Sequence, residues 1–243
     1  MELTVLGCSG SYGGPPFGAC SGYLVRSGDA TVWIDCGNGT LAHLQQHTSV
    51  EDLDAVVLTH QHPDHVVDIY GLHVLMRYGL ERAGLPVFAP EGLEERLRTL
   101  VEKGWGDAFD WKVVGDGDGV DLSDLALRFS RTDHPPPTYA VEVSADGKRL
   151  VYTADTGPGW TVDAFGAGAD LVLSEATYQE GRKGVSWHLT AHEAGRDARE
   201  AKASRLVLTH IWPALDPAVS AEEGSDAFAD AVTLAKPHLV TQV

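Results

Sequence analysis

One short segment of the chain concentrates side chains that bind metal ions. Directly after an apolar run that starts at Val56, three imidazoles and one carboxylate lie within six positions: His60, His62, Asp64 and His65. Neutral imidazoles and carboxylates are ligands for zinc, and also for manganese or iron. Four such groups exceed what one tetrahedral ion takes from a single loop, so the segment predicts two metal ions.

Ligand-capable residues also end several other apolar strands. Five segments share this plan: Val32–Asp35, Val56–His60, Leu150–Asp155, Leu171–Glu175 and Leu206–His210. Near-continuous apolar strands are buried on both faces, and we expect their ends to meet at one edge of the sheets. Asp155, His210 and His134, which follows another predicted strand, are therefore the expected remaining ligands. A lone histidine is usually structural, but five histidines and two aspartates placed in this way indicate a metal centre.

The elements that must position these residues are short strands and a few helices, and they predict an α/β protein with one domain over residues 1–243. Strands are expected at Leu3–Leu6, Gly22–Val25, Thr31–Ile34, Leu125–Phe129, Ala140–Val143 and Arg149–Thr153. A type I′ turn at Asp146-Gly147 joins the last two. Apolar periodicity predicts helices at His65–Leu80 and Gly92–Lys103, and a capping box predicts a third from Thr190 to about Ser204.

Charge restricts the class of partner. The chain has 35 acidic and 18 basic side chains and a formal net charge of -17, so its surface repels phosphate polymers at long range. A nucleic-acid partner is therefore disfavoured and would need a local basic patch. The candidate patch is Arg196, Arg199, Lys202 and Arg205, spaced by three on the third predicted helix, although a solvated helix face is the more usual interpretation.

The sequence also predicts where the protein works. No apolar run approaches the roughly 20 residues of a membrane span, and the N-terminus lacks the pattern of a signal peptide. We therefore expect a cytoplasmic protein with no membrane partner. Three cysteines match no zinc-finger spacing and are expected to be small buried hydrophobes: Cys8, Cys20 and Cys36.

Three further groups of residues have no assigned chemistry. The aromatic cluster of Trp105, Phe109 and Trp111 could cover a pocket, form a subunit contact or belong to the core, and core is the most common of these. The Gly-rich segment Gly7–Gly22 could approach a phosphate with backbone N–H groups, although such turns are common between strands. The remaining histidines lie outside the ligand pattern: His43, His47, His73, His192 and His238.

The segment from His60 to His65 resembles the H-x-H-x-D-H motif of the metallo-β-lactamase superfamily. Four further residues match that family's other motifs in order, and the resemblance covers nearly the whole chain: Asp35, His134, Asp155 and His210. The resemblance implies a four-layer αββα sandwich with a binuclear metal site at one edge of the sheets.

The resemblance also implies a role for each of these residues. One divalent ion would be held by His60, His62 and His134, and the other by Asp64, His65 and His210. Asp155 would bridge the two ions, and Asp35 would support the ligand loop without touching a metal. Zinc is the expected ion, and the same ligands accept manganese or iron. Such a centre uses a hydroxide shared by the two ions to attack phosphorus or a carbonyl carbon.

Two further stretches resemble the ribonuclease Z branch of the superfamily. Leu173–Thr177 and His188–Ala191 are similar to its HEAT and HST motifs. This similarity implies that His188 protonates the leaving oxygen and that Glu175 orients it, which makes these two residues, with Asp64, the predicted catalytic residues. An imidazole polarised by a carboxylate is a suitable proton donor near neutral pH. Alternatively, Glu175 only ends a strand and His188 only precedes a helix cap.

One departure from this branch bears on the substrate. Ribonuclease Z proper inserts a long basic arm between the motifs of His134 and Asp155, where this chain has only about 20 residues. The chain is instead similar to small armless bacterial members, and especially to an actinobacterial group with cyclic-nucleotide phosphodiesterase activity. The similarity implies a phosphodiesterase for a small diester such as a 3′,5′-cyclic nucleotide, working as a homodimer. The alternatives are a tRNA 3′-processing endoribonuclease, a lactonase or thioesterase, and a metal-dependent binding module without turnover.

Overall fold

Two seven-stranded mixed sheets form the centre of the computed structural model, which describes residues 1–101 and 103–243. The first sheet contains β1 (Glu2–Gly7), β2 (Gly22–Ser27), β3 (Ala30–Ile34), β4 (Ala55–Val57), β5 (Leu85–Ala89), β6 (Phe109–Val113) and, beside β1, β14 (Val240–Gln242). The second contains β7 (Gly119–Leu122), β8 (Leu125–Arg131), β9 (Tyr139–Ala145), β10 (Lys148–Tyr152), β11 (Leu171–Glu175), β12 (Leu206–Thr209) and β13 (Thr233–Leu234). Strands β3 to β6 are mutually parallel, as are β10 to β13.

Helices cover the outer faces of both sheets. The α-helices are α1 (Thr40–Leu44), α2 (Pro63–Val66), α3 (Ile69–Val74), α4 (Leu93–Arg98), α5 (Trp105–Ala108), α6 (Ala191–Glu200) and α7 (Pro217–Phe228). A π-helix spans Leu75–Leu80, and single 3₁₀ turns lie at Val50–Asp52, Val162–Phe165 and Glu180–Arg182. Helices α1 to α5 pack on the first sheet, and α6 and α7 pack on the second. The predicted αββα sandwich is confirmed.

Alternation along the strands divides the core into two layers. In β2, Tyr23 and Val25 face the second sheet, whereas Leu24 faces the helices, and in β3 Trp33 does the same. Because side chains alternate between the faces of a strand, a strand buried on both sides must be apolar at nearly every position. This explains why the strand segments of the sequence are almost unbroken apolar runs.

The predicted helix from His65 to Leu80 was wrong as a single element. The backbone N–H of Asp68 donates to the Cys36 carbonyl at 2.8 Å, outside the helix, and α2 ends before this point. Beyond Val74 the turns widen into the π-helix. Apolar periodicity alone does not reveal such breaks, because it depends on side chains and not on where each backbone N–H finds its acceptor.

The other two predicted helices are shorter than expected. For Gly92–Lys103 the structure shows α4 at Leu93–Arg98, and Glu102 lies outside the described residues. The Thr190 capping box is confirmed, but α6 ends at Glu200 because Lys202 adopts a left-handed backbone with φ of 56°. Arg205 therefore leaves the helix and donates to the Gln242 carbonyl. Only Arg196 and Arg199 of the candidate patch lie on α6, so the four basic residues do not form the single helix face that this candidate required.

Several local predictions are confirmed. Asp146 and Gly147 have φ of 51° and 73°, as a type I′ turn between β9 and β10 requires. The three cysteines are free and buried. Trp105 belongs to the helix-side core, where its ring stacks on that of Trp111 at 5.6 Å.

Within the described ranges, no helix is both long and apolar enough to cross a membrane.

Asp197 on α6 is expected to make folding pH-dependent. Burial raises the pKa of Asp197 to about 6, and the Glu200 carboxylate adds to this effect, although the Val162 N–H donates to Asp197 at 3.1 Å. Since this pKa lies above the ~3.9 of an unfolded aspartate, the contribution of Asp197 to stability is full below about pH 4 and is lost as the pH rises through about 6. We expect Asp197→Asn to be more stable than wild type by about 3 kcal/mol at about pH 8 and equal to it at about pH 4.

Urea denaturation of the wild type and of Asp197→Asn at both pH values measures this effect. Any pH-dependent change elsewhere in the protein cancels in the difference between the two proteins. A stability difference that does not change with pH would contradict the prediction.

Candidate metal centre

The histidine-rich loop begins where β4 ends and continues into α2. His60 follows β4 and has no exposed surface. His62 is the residue before α2, and Pro63 occupies the first helical position, where its missing N–H costs no hydrogen bond. Asp64 and His65 therefore lie in the first turn of α2. The tight change from strand to helix directs all four side chains toward the same edge of the sheets.

The structure brings the seven predicted ligands together in two groups. Ligand atoms of His60, His62, His134 and Asp155 lie within 4.8 Å of one another, and so do those of Asp64, His65 and His210. Asp155 follows β10 and lies between the groups. Its Oδ2 is 3.5 Å from His60 Nε2 and 3.9 Å from His134 Nε2. Its Oδ1 is 3.3 Å from His65 Nε2 and 3.5 Å from His210 Nε2.

Three buried atoms at the centre of this cluster have no hydrogen-bond partner among the described residues: His60 Nε2, His65 Nε2 and Asp155 Oδ1. An unpaired buried polar atom costs about 1–3 kcal/mol, and most buried polar groups in folded proteins are paired. A cation satisfies imidazole nitrogens and a carboxylate oxygen at once. The residues therefore fit a pair of divalent ions, and the two oxygens of Asp155 face both groups.

Protonation of the cluster follows from burial and from its carboxylates. Burial lowers the pKa of His134 to about 4 and, with the neighbouring His65, holds the pKa of His60 well below its ordinary value. These imidazoles are neutral, which is the form that binds metal ions. Burial would raise the pKa of Asp155, but His210 and the other imidazoles outweigh it and hold that pKa well below its ordinary value. Asp155 is therefore ionised and available as a ligand.

Asp35 supports the centre from behind the ligands. It follows β3, is completely buried and adopts a left-handed φ of 59°. His65 Nδ1–H donates to Asp35 Oδ2 at 2.7 Å, and the Tyr152 hydroxyl donates to the same atom at 3.0 Å. Thr59 donates to Asp35 from both its N–H and its hydroxyl. Asp35 thus orients His65 and ties the ligand loop to the second sheet through Tyr152.

Glu175 and His188 form a pair beside the ligand cluster. His188 Nδ1–H donates to Glu175 Oε1 at 2.9 Å, and its ring stacks on that of His210 at 5.6 Å. The Thr156 N–H and the Thr177 hydroxyl fix the two oxygens of Glu175, at 2.8 and 2.6 Å. Burial alone would lower the pKa of His188, but Glu175, followed by more distant carboxylates, raises it to about 9. His188 therefore carries a proton at neutral pH.

The Gly-rich segment Gly7–Gly22 lies against the ligands. Ser11 N–H donates to Asp64 Oδ2 at 2.9 Å. A Cβ added at Gly10 would come within 2.4 Å of the His210 carbonyl oxygen, so this close approach requires glycine. Because the Ser11 N–H is used by Asp64, this N–H is not free for a phosphate. The wider prediction that the segment contacts a phosphate stays a prediction.

The histidines without an assigned role lie away from the ligand groups. His43 donates from Nδ1 to the Leu6 carbonyl, His47 and His238 are hydrogen-bonded to each other at 2.9 Å, and His73 packs against Trp105. His192 lies on α6 with its side chain 43% exposed. The sequence reasoning missed the hydroxyl groups around the centre: Thr59, Thr138, Tyr152 and Thr177. The available signal was that each threonine lies within four positions of a predicted ligand or of Glu175.

Comparison with known proteins identifies the family of this fold and site. A family model described as a beta-lactamase superfamily domain matches residues 30–211. The chain belongs to this superfamily. The Bacillus subtilis superfamily protein named probable metallo-hydrolase YhfI is 34% identical over 218 residues, which are 87% of each chain. Its crystal structure matches with a TM-score of 0.89 and 30% identity over 99% of each chain.

Ribonuclease Z is also among the relatives of this superfamily member. A ribonuclease Z of Mycobacterium bovis is 27% identical over 248 residues, covering 89% of this chain and 88% of the relative. The crystal structure of the short form of human tRNase Z matches with a TM-score of 0.78 at 22% identity, covering 100% of this chain and 99% of the other, which shows the common fold. This protein is a metal-dependent hydrolase of the beta-lactamase superfamily.

Proposed function

We propose that this hydrolase is a binuclear phosphodiesterase that cleaves a small phosphodiester such as a 3′,5′-cyclic nucleotide. The observation that carries the proposal is the Glu175–His188 hydrogen bond of 2.9 Å, with the imidazole stacked on His210 of the ligand cluster. An alkoxide that leaves from phosphorus needs a proton, and a histidine held by a carboxylate supplies it. A lactonase or thioesterase would need the ligand set but not this pair.

The ligand assignment follows the two groups in the structure. His60, His62 and His134 would hold one ion, Asp64, His65 and His210 the other, and Asp155 both. Zinc is the expected ion because the ligand set is rich in imidazole. When bound, such ions supply a water of lowered pKa and stabilise the negative charge that develops on the phosphoryl oxygens.

The protein's own residues supply orientation and the proton. Because His188 uses its Nδ1–H for Glu175, the proton available for transfer is the one on Nε2. Glu175 cannot turn away, since the Thr156 N–H and the Thr177 hydroxyl hold its two oxygens. Positive charge in the ligand groups would lower the pKa of His188 from about 9 toward neutrality. His188 would then be able to release its proton to the leaving oxygen.

The small size of the substrate is supported by the connection between His134 and Asp155. This connection consists of β9, the two-residue turn at Asp146-Gly147, and β10. It has no protruding arm that could hold a folded RNA. Together with the net charge of -17, this favours a small diester over tRNA. The ribonuclease Z relative makes tRNA 3′-processing the second candidate.

Turnover of 3′,5′-cyclic AMP by the zinc- or manganese-loaded protein is the decisive test, with an unprocessed tRNA as the parallel substrate. Cleavage of the cyclic nucleotide alone is the expected result. Cleavage of the tRNA alone would replace the proposal by the second candidate. Turnover of neither substrate, nor of an activated diester, by fully loaded protein would favour a binding module without catalysis.

A further inference from the structure

Three threonines contact the outward-facing nitrogens of three of the proposed ligands. His60 Nδ1 is 3.1 Å from Thr59 Oγ1, His134 Nδ1 is 3.0 Å from Thr138 Oγ1, and His210 Nδ1 is 2.8 Å from Thr177 Oγ1. All three threonines are at most 1% exposed. The contacts come from three different connections of the fold, so one local motif does not explain them.

The direction of each hydrogen bond follows from the other partner of the hydroxyl. Thr59 Oγ1 donates to the Asp35 carboxylate at 3.0 Å, Thr138 Oγ1 to the Pro136 carbonyl at 2.9 Å, and Thr177 Oγ1 to the Glu175 carboxylate at 2.6 Å. Carboxylate and carbonyl oxygens only accept, and a hydroxyl has one proton to give. Each threonine must therefore accept from its histidine. This places the histidine proton on Nδ1.

A proton on Nδ1 leaves the lone pair of a neutral imidazole on Nε2. The Nε2 atoms of all three histidines face Asp155, at 3.5, 3.9 and 3.5 Å. The hydroxyl groups thus fix the direction of the Nδ1–H in all three rings and, in His60 and His134, the direction of the Nε2 lone pair. His210 Nε2 also lies 3.2 Å from Asp64 Oδ2, so Thr177 fixes the orientation of that ring.

We infer that Thr59, Thr138 and Thr177 are positioning residues that preset three histidines for metal binding. The inference rests on the ligand assignment of the proposed function and adds the residues that make those ligands competent. Partners of this kind are typically worth 10–100-fold in metal affinity. The Thr177 hydroxyl also donates to Glu175. The proposed ligand His210 and the Glu175–His188 pair therefore share one hydroxyl group.

The use of hydroxyl groups has an electrostatic consequence. A carboxylate partner makes a ligating imidazole more basic, and the ligand groups already contain the carboxylates of Asp64 and Asp155. A threonine fixes the tautomer without adding charge. The bound ions would therefore keep more of their positive charge for the oxygens of the substrate. His65 differs from these three histidines, since it donates to the carboxylate of Asp35.

Thr138→Val is the sharpest test, because among the described residues the Thr138 hydroxyl is hydrogen-bonded only to His134 Nδ1 and to the Pro136 carbonyl. Competition of the zinc-loaded, full-length protein with a chelator is expected to show a 10–100-fold loss of zinc affinity. Thr138→Ser, which keeps the hydroxyl, is expected to bind zinc like the wild type. Thr4→Val is the matched control, since Thr4 is completely buried and its hydroxyl has no partner among the described residues.

Proton NMR of the same zinc-loaded proteins gives a readout that a purely structural role would not change. In the wild type, the Nδ1–H protons of His60, His134 and His210 are expected to exchange slowly with water. In Thr138→Val only the His134 proton should become fast.

The inference is overturned if Thr138→Val keeps wild-type zinc affinity, or if Thr138→Ser loses as much affinity as Thr138→Val. Should the valine variant fail to fold, the wild-type spectrum decides, since the absence of slowly exchanging Nδ1–H protons contradicts the inference. None of these measurements uses a substrate. A failure of the phosphodiesterase proposal would therefore be seen in the turnover assay. A failure of this inference would be seen in the zinc affinities and the NMR spectra.

Discussion

Asp155→Asn is expected to lose bound metal and turnover together, with turnover reduced on the order of 10³-fold, since metal ions are worth several kcal/mol to such reactions. Asp155 is the residue whose two oxygens face both ligand groups, and it is 2% exposed. Asparagine keeps the size of the side chain but offers one neutral oxygen in place of a charged pair. The two groups then lose their shared anionic ligand.

Metal content per chain and turnover of a phosphodiester, measured on the same preparations, test this prediction. His210→Ala is expected to give the same joint loss through the second ligand group. Asp52→Asn is the control, because Asp52 is an exposed carboxylate on the 3₁₀ turn Val50–Asp52. Full metal content and full activity in Asp155→Asn would show that Asp155 is not a shared ligand.

His188→Ala is expected to separate metal binding from proton transfer. The variant should keep both ions, since His188 is not needed for either proposed ligand set. It should lose roughly 10²–10⁴-fold in turnover of 3′,5′-cyclic AMP, whose leaving alkoxide needs a proton. Turnover of a nitrophenyl diester should fall by only a few-fold, because nitrophenolate leaves without needing a proton.

His192→Ala is the matched control for this variant. His192 lies four positions further along the chain, its side chain is 43% exposed, and it lies outside the ligand groups. Metal content and turnover of both substrates are measured for the two variants. If His188→Ala slows both substrates equally with its metals intact, His188 is not a general acid, and a lactonase or thioesterase regains support.

Much of the site was predictable because several of its metal-binding residues lie close together along the chain, in a recognisable spacing. His60, His62, Asp64 and His65 lie in one loop, so their residue types and spacing alone indicated a metal centre. The other predicted ligands end apolar strands, and parallel strands bring their ends to one edge. The fold class followed from the same runs, because strands buried on both faces must be apolar.

Helix boundaries were less predictable. The stretch from His65 to Leu80 has helical periodicity, yet Asp68 donates its N–H to Cys36 and breaks the element. The run toward Arg205 ends early because Lys202 turns left-handed. In both cases the backbone hydrogen bonds decided the outcome, and those acceptors are not visible in a pattern of apolar residues.

The sequence by itself determined which side chains could bind metal and roughly where in the fold they lie. Only the tertiary structure decided how those side chains are held. Tyr152 reaches Asp35 across 117 positions of the chain, and Thr177 lies between Glu175 and His210, which come from different strands. The nearness of each threonine to a predicted ligand or to Glu175 along the chain does not by itself assign the hydroxyl a role, since threonine is common in strands. The role of these hydroxyl groups depends on which donor and acceptor meet when two sheets pack, and packing joins residues that are distant along the chain.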